Sequence, residues 1–526
     1  MRARAGRGRH TLAQGTLLNR GHVRGSIVIA AASLVGALTT PGCSSPDLRN
    51  TNFSCTTNAD CLDGKICGMV GGVPACLLPQ NAPLRIGMSA PFQGPSQDLG
   101  IEMRRGISAL FKHVNDEGGV LGRPLELDTR NDNYDPDTAL ANTLDLLNVV
   151  QPNDNPDAPD LRGPASVFAL LGNVGTPTML KTAPVATKNH VIFFAPFTGS
   201  QRYLRDGTNS PYVFNYRAGY YEETEAMIDY LATFRAPQII NGPSAYDHLL
   251  AFTQNDAYGD AGYAGLVNAY NTRIAPLPQP NPALPEPSIA RINYQREDLA
   301  SVTPAIAQAE DFLSGLLARS ASVGGVTRVA IVMIDTYEPG NKFIRGVKDW
   351  INADASRAAS LEALFLHVSF VGSDSLAQAL TRAPGSYVDV TDPTGVRTKT
   401  YASNVLVTQV VPYYWSQSAG ITAYRTDIAQ FDAGTYNFTS LEGYIAARLL
   451  VKAMMLNGPQ LDSDALVETL NTKVGRLDLG IGALLDFSSV NHQASHQVWG
   501  SSINDDGTFS IPFQWNPEER IIPGAN

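Results

Sequence analysis

The stretch FALLGNVGTPTMLKTAPVATKNHVIFFAPFTGSQRYLR, residues 168–205, decides how the chain is read. Phe168–Leu171 is apolar without polar alternation, the pattern of a strand buried on both faces. Gly172-Asn173-Val174-Gly175 breaks the run. Thr176 then precedes Pro177, a capping residue type followed by the best first-turn residue type. A helix is expected toward Lys188, then a second buried strand over Val191–Phe194. Ala195-Pro196-Phe197-Thr198-Gly199 forms a second strand-to-helix turn. The unit is βαβ. Its two turns are expected to present free backbone N–H groups and hydroxyls at the carboxyl ends of neighbouring parallel strands. Open α/β sheets bind ligands there, and a helix N-terminus favours an anion such as a carboxylate.

Outward from this unit, 526 residues leave room for about three domains. The formal charge is −10. The first 42 residues hold Arg2, Arg4, Arg7, Arg9, Arg20 and Arg24 and no acid, so the remainder has 33 basic against 49 acidic residues, a balance of −16. An acidic chain without a basic run argues against nucleic acid as a partner. The Arg-rich start, the apolar core Ser26–Leu38 and Thr39-Thr40-Pro41-Gly42-Cys43 read as an export signal over 1–42. That core is too short to span a bilayer, which takes about 20 residues. Pro41-Gly42-Cys43-Ser44-Ser45 resembles a bacterial lipobox, with Thr40 where Leu is usual. Cys43 is therefore the expected lipidation site, tethering the protein to a membrane in the periplasm or cell envelope.

Cys55, Cys61, Cys67 and Cys76 complete the cysteine inventory. An even, compact set in an exported chain implies two disulfides stapling a small module within 43–83. Three pairings are open. A zinc site of all four is the competitor, without a C-x₂-C knuckle to support it. After the linker Pro79–Pro83, strands and helices alternate. Leu84–Met88 is a strand, followed by a helix with Met103, Ile107, Leu110, Phe111 and Val114 on one face. Asp135-Pro136 opens another helix. The run Asn131–Asp135 is acidic but lacks the Gly and terminal Glu of a calcium loop, so turn and cap is the reading. Further strands are expected at Tyr212–Arg217, Leu249–Phe252, Val329–Ile334, Phe365–Phe370 and Val405–Val410, with a helix over Thr224–Thr233 and a Pro-rich insertion over 275–287. This is an α/β architecture with parallel sheets. No G-x-S-x-G, P-loop, H-E-x-x-H or G-x-G-x-x-G occurs, so no enzyme or cofactor reading is supported.

LRIGMSAPFQGP, NDEGGVLGRPLEL, ALLGNVGTPT, FFAPFTGSQRYLR, VFNYRAGYYEE, FTQNDAYGDAGYAG, VAIVMIDTYEPGNKFI, VSFVGSDSL and FTSLEGYIAARLL follow one another in this order. Together they resemble branched-chain-amino-acid-type periplasmic binding proteins, the type I solute receptors of ABC transporters. The resemblance implies two Rossmann-like lobes joined by three crossovers: lobe one from 84–217 and 412–485, lobe two from 218–411 and 486–526. It implies a small-molecule ligand in the cleft and closure about the hinge. It places a ligand carboxylate on Gly175, Thr176 and Thr198, with Phe197 in the same turn. It brings Tyr258 and Tyr337 from lobe two, Leu99 to the side-chain pocket, and Tyr221 to the crossover. Leucine-type relatives hold the ligand's ammonium with a Glu in the loop that reads VGSD here, and the matching residue is Ser373. Asp374, Asp335 and Glu222 are the acids that could stand in for it. An unpaired buried ammonium is costly, so amides, small carboxylates and aromatic acids join amino acids as ligand classes. The partner implied is an ABC permease; a membrane sensor is the alternative.

Overall fold

The computed structural model describes residues 53–524 except 57–59, 63–64, 71–72, 79–80, 202–204, 236–247, 274–288, 322–323, 433 and 460. The expected export signal and Cys43 lie outside the described residues. No helix among the described residues is long and apolar enough to cross a membrane.

The chain first forms a hairpin, β1 (Ile66–Val70) with β2 (Val73–Leu77). Disulfides Cys55–Cys67 and Cys61–Cys76 tie it to the preceding loop, so the cysteines pair rather than gather a metal. Cys67 and Cys76 face each other across the hairpin, yet each bridges away from it. The module's own core is Ala75, Leu77 and Ala82, too small to hold without staples.

The first lobe's sheet contains β3 (Leu84–Ala90), β4 (Leu125–Asn131), β5 (Ala169–Leu171), β6 (Ile192–Phe194) and β7 (Val213–Phe214). Its order is β4-β3-β5-β6-β7, all parallel. The connecting helices are α1 (Gln97–Asp116), α2 (Pro136–Leu146) and α3 (Thr176–Lys188). The Asp-rich run does the work of a turn and a cap. Asp135 accepts from the Thr138 amide at 2.8 Å, and buried Asp132 accepts from the Ser89 hydroxyl at 2.8 Å.

The chain then crosses to α4 (Tyr220–Tyr230), which continues as one π turn to Arg235. This helix starts four residues before the expected Thr224, because the Glu222 carboxylate accepts from the Gly219 amide at 2.7 Å and stabilises an earlier first turn.

The second sheet holds β8 (Leu249–Gln254), β9 (Ala290–Tyr294), β10 (Thr327–Ile334), β11 (Leu361–His367) and β12 (Val405–Gln409), parallel in the order β9-β8-β10-β11-β12. Between them lie α5 (Ala257–Arg273), α6 (Val302–Ser320), α7 (Tyr337–Asn352) and α8 (Ser373–Thr381). Strand β9 and helix α6 have no counterpart in the sequence reading. The chain returns to the first lobe for α9 (Ala419–Phe431), α10 (Phe438–Asn457) and α11 (Ser463–Thr472). Helix α10 packs on α1, where Gly106 lets the axes come close: a Cβ there would stand 1.8 Å from the Ser440 carbonyl oxygen. Residues 491–493 run beside the first sheet, through the bridge of Asn215 to Gln493. Then β13 (Val498–Ile503), β14 (Phe509–Asn516) and β15 (Arg520–Pro523) join the second sheet antiparallel. The sheet is therefore mixed, where the sequence pattern pointed to parallel strands. β13, β14 and β15 are joined to one another by short turns, in place of the helical crossovers that parallel pairing needs.

Candidate functional site

Strand order reverses between β3 and β5 in the first sheet and between β8 and β10 in the second. The crevice beyond the carboxyl ends at such switch points is where α/β sheets bind ligands. Thr176 and Thr198 follow β5 and β6. Tyr258 follows β8, Tyr337 follows β10, and Phe370 with Ser373 follows β11.

On the first lobe, Gly175 caps α3 at φ 103° and Thr176 is the first helical residue. Only glycine fits position 175, since a Cβ would lie 2.2 Å from the Tyr134 ring. Moving the cap back one residue aims the Thr176 hydroxyl at that of Thr198, 2.6 Å away. Two N–H groups expected to be free are not. The Gly175 amide donates to the Phe197 carbonyl at 3.1 Å and the Thr198 amide to the Pro196 carbonyl at 2.9 Å. The turns are thus locked by their own backbones, and what they present is the hydroxyl pair. The Ser200 amide donates to the Thr198 hydroxyl at 3.2 Å. Beside it lies the buried Tyr220 hydroxyl, pushed up to about 12 by burial. The sequence reading singled out its neighbour Tyr221 instead.

Thr176 and Ser200 of the first lobe and Tyr221 at the start of α4 line a cavity of about 390 Å³, faced by Ala257, Asp260, Ala261 and Ala264 of α5. Deeper in, aromatic rings close the crevice. Phe370 stands 5.1 Å from Phe197, 4.6 Å from Tyr258 and 6.1 Å from Tyr134, ring centre to ring centre. The Tyr258 hydroxyl donates to the Asp335 carbonyl at 2.9 Å. Leu99 meets the second lobe at Gly372, where a Cβ would stand 2.8 Å from the leucine side chain and 3.4 Å from Tyr337. The Tyr337 hydroxyl accepts from the Asp98 amide at 3.4 Å. The structure therefore joins Thr176 to Thr198, Leu99 to Tyr337, and Phe197 to Tyr258 through Phe370.

Ser373 is buried, and its hydroxyl accepts from Gln409 at 2.7 Å, turned toward the end of β12. The acids that could stand in for the missing Glu are already engaged. Asp374 accepts from the Tyr414 hydroxyl at 2.9 Å and the Phe438 amide at 3.0 Å, and burial pushes its carboxyl up to about 7. Asp335 pairs with His367 at 2.9 Å; burial raises it too, and its second oxygen has no partner among the described residues. Glu222 is held below its ordinary value: burial opposes this, but His496 at 2.7 Å, Arg205 and Gln493 outweigh it.

Between the lobes lies a buried charge network that the sequence did not reveal. Arg217 donates to Glu442 at 3.1 Å, to Glu223 at 3.2 Å and to the Ser369 hydroxyl. Its guanidinium stacks 5.2 Å over Phe197. Burial pushes Glu442 up to about 7, against the pull of Arg217. Nearby, buried Arg205 donates to the carbonyls of Ser200, Thr198 and Arg217 at 3.0, 3.1 and 2.5 Å, clamping the Thr198 turn to the crossover.

A family model described as periplasmic binding protein matches residues 83–273. A possible leucine/isoleucine/valine-binding protein from Rhodopirellula baltica SH 1 is 30% identical, over 81% of this chain and 95% of that one, at a TM-score of 0.61. A substrate-binding periplasmic protein from Ralstonia solanacearum is 22% identical over 81% and 99%, with a TM-score of 0.59. A branched-chain amino acid transporter substrate-binding protein from Streptococcus pneumoniae, solved with isoleucine, shares the fold at 12% identity over 84% and 100%, TM-score 0.57. Among curated proteins none matches. The chain belongs to the periplasmic binding proteins of type I, in their leucine/isoleucine/valine-binding-like form. This is a family of ligand-binding proteins rather than of enzymes.

Proposed function

We propose that this protein is an extracytoplasmic solute-binding lipoprotein that captures a small polar ligand between its lobes for an ABC transporter. The observation that carries the reading is the Thr176–Thr198 hydroxyl pair, which borders a cavity lined by both lobes. A carboxylate or amide oxygen that displaces this contact gains two hydroxyl donors and the amides of Thr176 and Thr178 in the first turn of α3, which have no intrahelical acceptor. The alanines of α5 leave room for a small apolar tail. Amino acids, amides and small carboxylates all fit this description. Lipidation of Cys43 and delivery to a permease follow from the lipobox-like sequence and the family.

A thermal-shift screen of residues 52–526, which form one compact unit, tests the reading. A ligand present at about 100 times its dissociation constant adds roughly 2.7 kcal/mol of stability. One responding chemical class identifies the solute. A flat response across all three classes, repeated after unfolding and refolding to remove any bound ligand, refutes solute capture.

A further inference from the structure

A second cavity, of about 410 Å³, lies at the opposite pole of the first lobe, between the disulfide hairpin and the amino ends of its strands. Three arginines line it: Arg85 at the start of β3, Arg123 just before β4 and Arg162 in the segment leading to β5. Because β4, β3 and β5 are neighbours in the sheet, these three side chains converge beneath the hairpin residues Ile66, Gly68 and Met69. Arg85 is satisfied by Asp128 and the Ala165 carbonyl. The other two are not. Arg123 donates only to the Ala82 and Pro83 carbonyls, at 3.0 and 3.4 Å, and Arg162 only to the Ser166 hydroxyl, at 3.0 Å. Neither has a carboxylate within 4.0 Å among the described residues, although Asp160, itself bound by Lys188 and Asn189, acts on Arg162 from farther away. Each guanidinium carries five N–H donors, so most remain unused. Asp462, also on the wall, spends its carboxylate capping α11 through the Ala465 amide at 2.8 Å. Burial depresses the basicity of both Arg123 and Arg162.

We propose that this cavity binds a phosphate-bearing group, held by Arg123 and Arg162 and roofed by the disulfide module. Forked guanidiniums match a tetrahedral oxyanion with several acceptor oxygens better than they match a neutral ligand. The cavity exceeds the size of the bare ion, so the phosphate carries a substituent, either as a free phosphate ester or as a lipid headgroup. The site is independent of the interlobe cleft, and its occupancy ties the module to the lobe.

The test is titration calorimetry of residues 52–526 with inorganic phosphate and glycerol 3-phosphate, alongside sedimentation with phosphatidylglycerol or phosphatidylcholine vesicles. Both soluble anions are expected to bind, with glycerol 3-phosphate the tighter, and the Arg123→Gln/Arg162→Gln variant is expected to bind about tenfold more weakly or worse. Arg123 also holds the linker carbonyls, so Arg162→Gln alone serves as the control that keeps the fold; it is expected to weaken binding several-fold. Where the soluble anions bind, retention on phosphatidylglycerol but not on phosphatidylcholine vesicles assigns the source as a lipid headgroup, and soluble binding without retention assigns a free ester. No heat with either anion, or equal affinity in the double variant, overturns the proposal.

Discussion

The two walls of the interlobe crevice are made of different chemistry. The first lobe presents hydroxyls fixed by backbone turns: Thr176 and Thr198 at 2.6 Å, with Ser200 beside them. The second lobe presents rings and small side chains: Tyr258, Tyr337 and Phe370, with the alanines of α5. Preorganised polar groups recognise a ligand's fixed end, and an apolar surface adapts to its tail and expels water when the lobes meet. On the proposed reading the lobe that recognises and the lobe that closes are separate, and the network around Arg217 joins them.

The largest test of that coupling removes its centre. Arg217→Met leaves Glu223 and Glu442 buried beside each other without the cation that bridges them. The expected loss is about 3–5 kcal/mol in urea unfolding. A loss below about 1 kcal/mol would show that the walls are joined by aromatic packing alone. Phe370→Ala is expected to cost about 3 kcal/mol, because Phe370 touches Phe197 and Tyr134 on one lobe and Tyr258 on the other. Small-angle scattering should show a larger radius of gyration for the free variant, since the wedge that fills the closed crevice is gone. An unchanged radius would place Phe370 in the second lobe's own core.

A smaller effect on stability separates recognition from folding. Thr176→Val/Thr198→Val removes both partners of one buried hydrogen bond while keeping side-chain shape. Replacing both partners together is close to neutral in itself, and the Ser200 amide left without its Thr198 acceptor costs about 1–3 kcal/mol. The ligand found by thermal shift should nevertheless lose its effect on this variant. Retained ligand stabilisation would move the recognition wall elsewhere, with Ser200 and Gln201 the next candidates on the cavity.

How much of this contrast the sequence showed depends on the range of the interactions. The strands were legible because Val329–Ile334 and its kin are unbroken apolar runs, buried on both faces. The turn at Gly175 was legible because glycine, threonine and proline carry their conformational preferences locally. The use of those residues was not. The Thr176–Thr198 contact depends on the cap falling one residue earlier than Thr176, and the choice between Tyr220 and Tyr221 depends on where α4 starts. Phe370 is one aromatic in the apolar run VSFVG, with nothing local to mark it as the wedge. Arg217 finds Glu442 across 225 residues, a pairing that only the folded topology creates. Strand β9 follows the Pro-rich insertion with only five residues of weak pattern.

The finest probe is pH, because the acids that tie the two walls together are buried. Asp374 on the second lobe accepts from Tyr414 in the crossover and from Phe438 at the start of α10 on the first. Burial raises its carboxyl from 3.8 to about 7, with Glu102 contributing in the same direction. Glu442 is likewise raised from 4.5 to about 7 by burial. A raised acid binds more protons folded than unfolded between the two values. The contribution of these two acids to stability is therefore expected to fall as pH rises from about 4.5 to about 7 and to level off above that, the opposite of the usual salt-bridged carboxylate. Asp374→Asn keeps the shape and neutrality of the protonated acid, with an amide oxygen that still accepts a hydrogen bond. Urea unfolding at pH 5, 6, 7 and 8 should give a shallower decline in this variant than in the parent. An identical slope would mean that Asp374 does not titrate in this range and that the second lobe's tie to α10 is charged throughout.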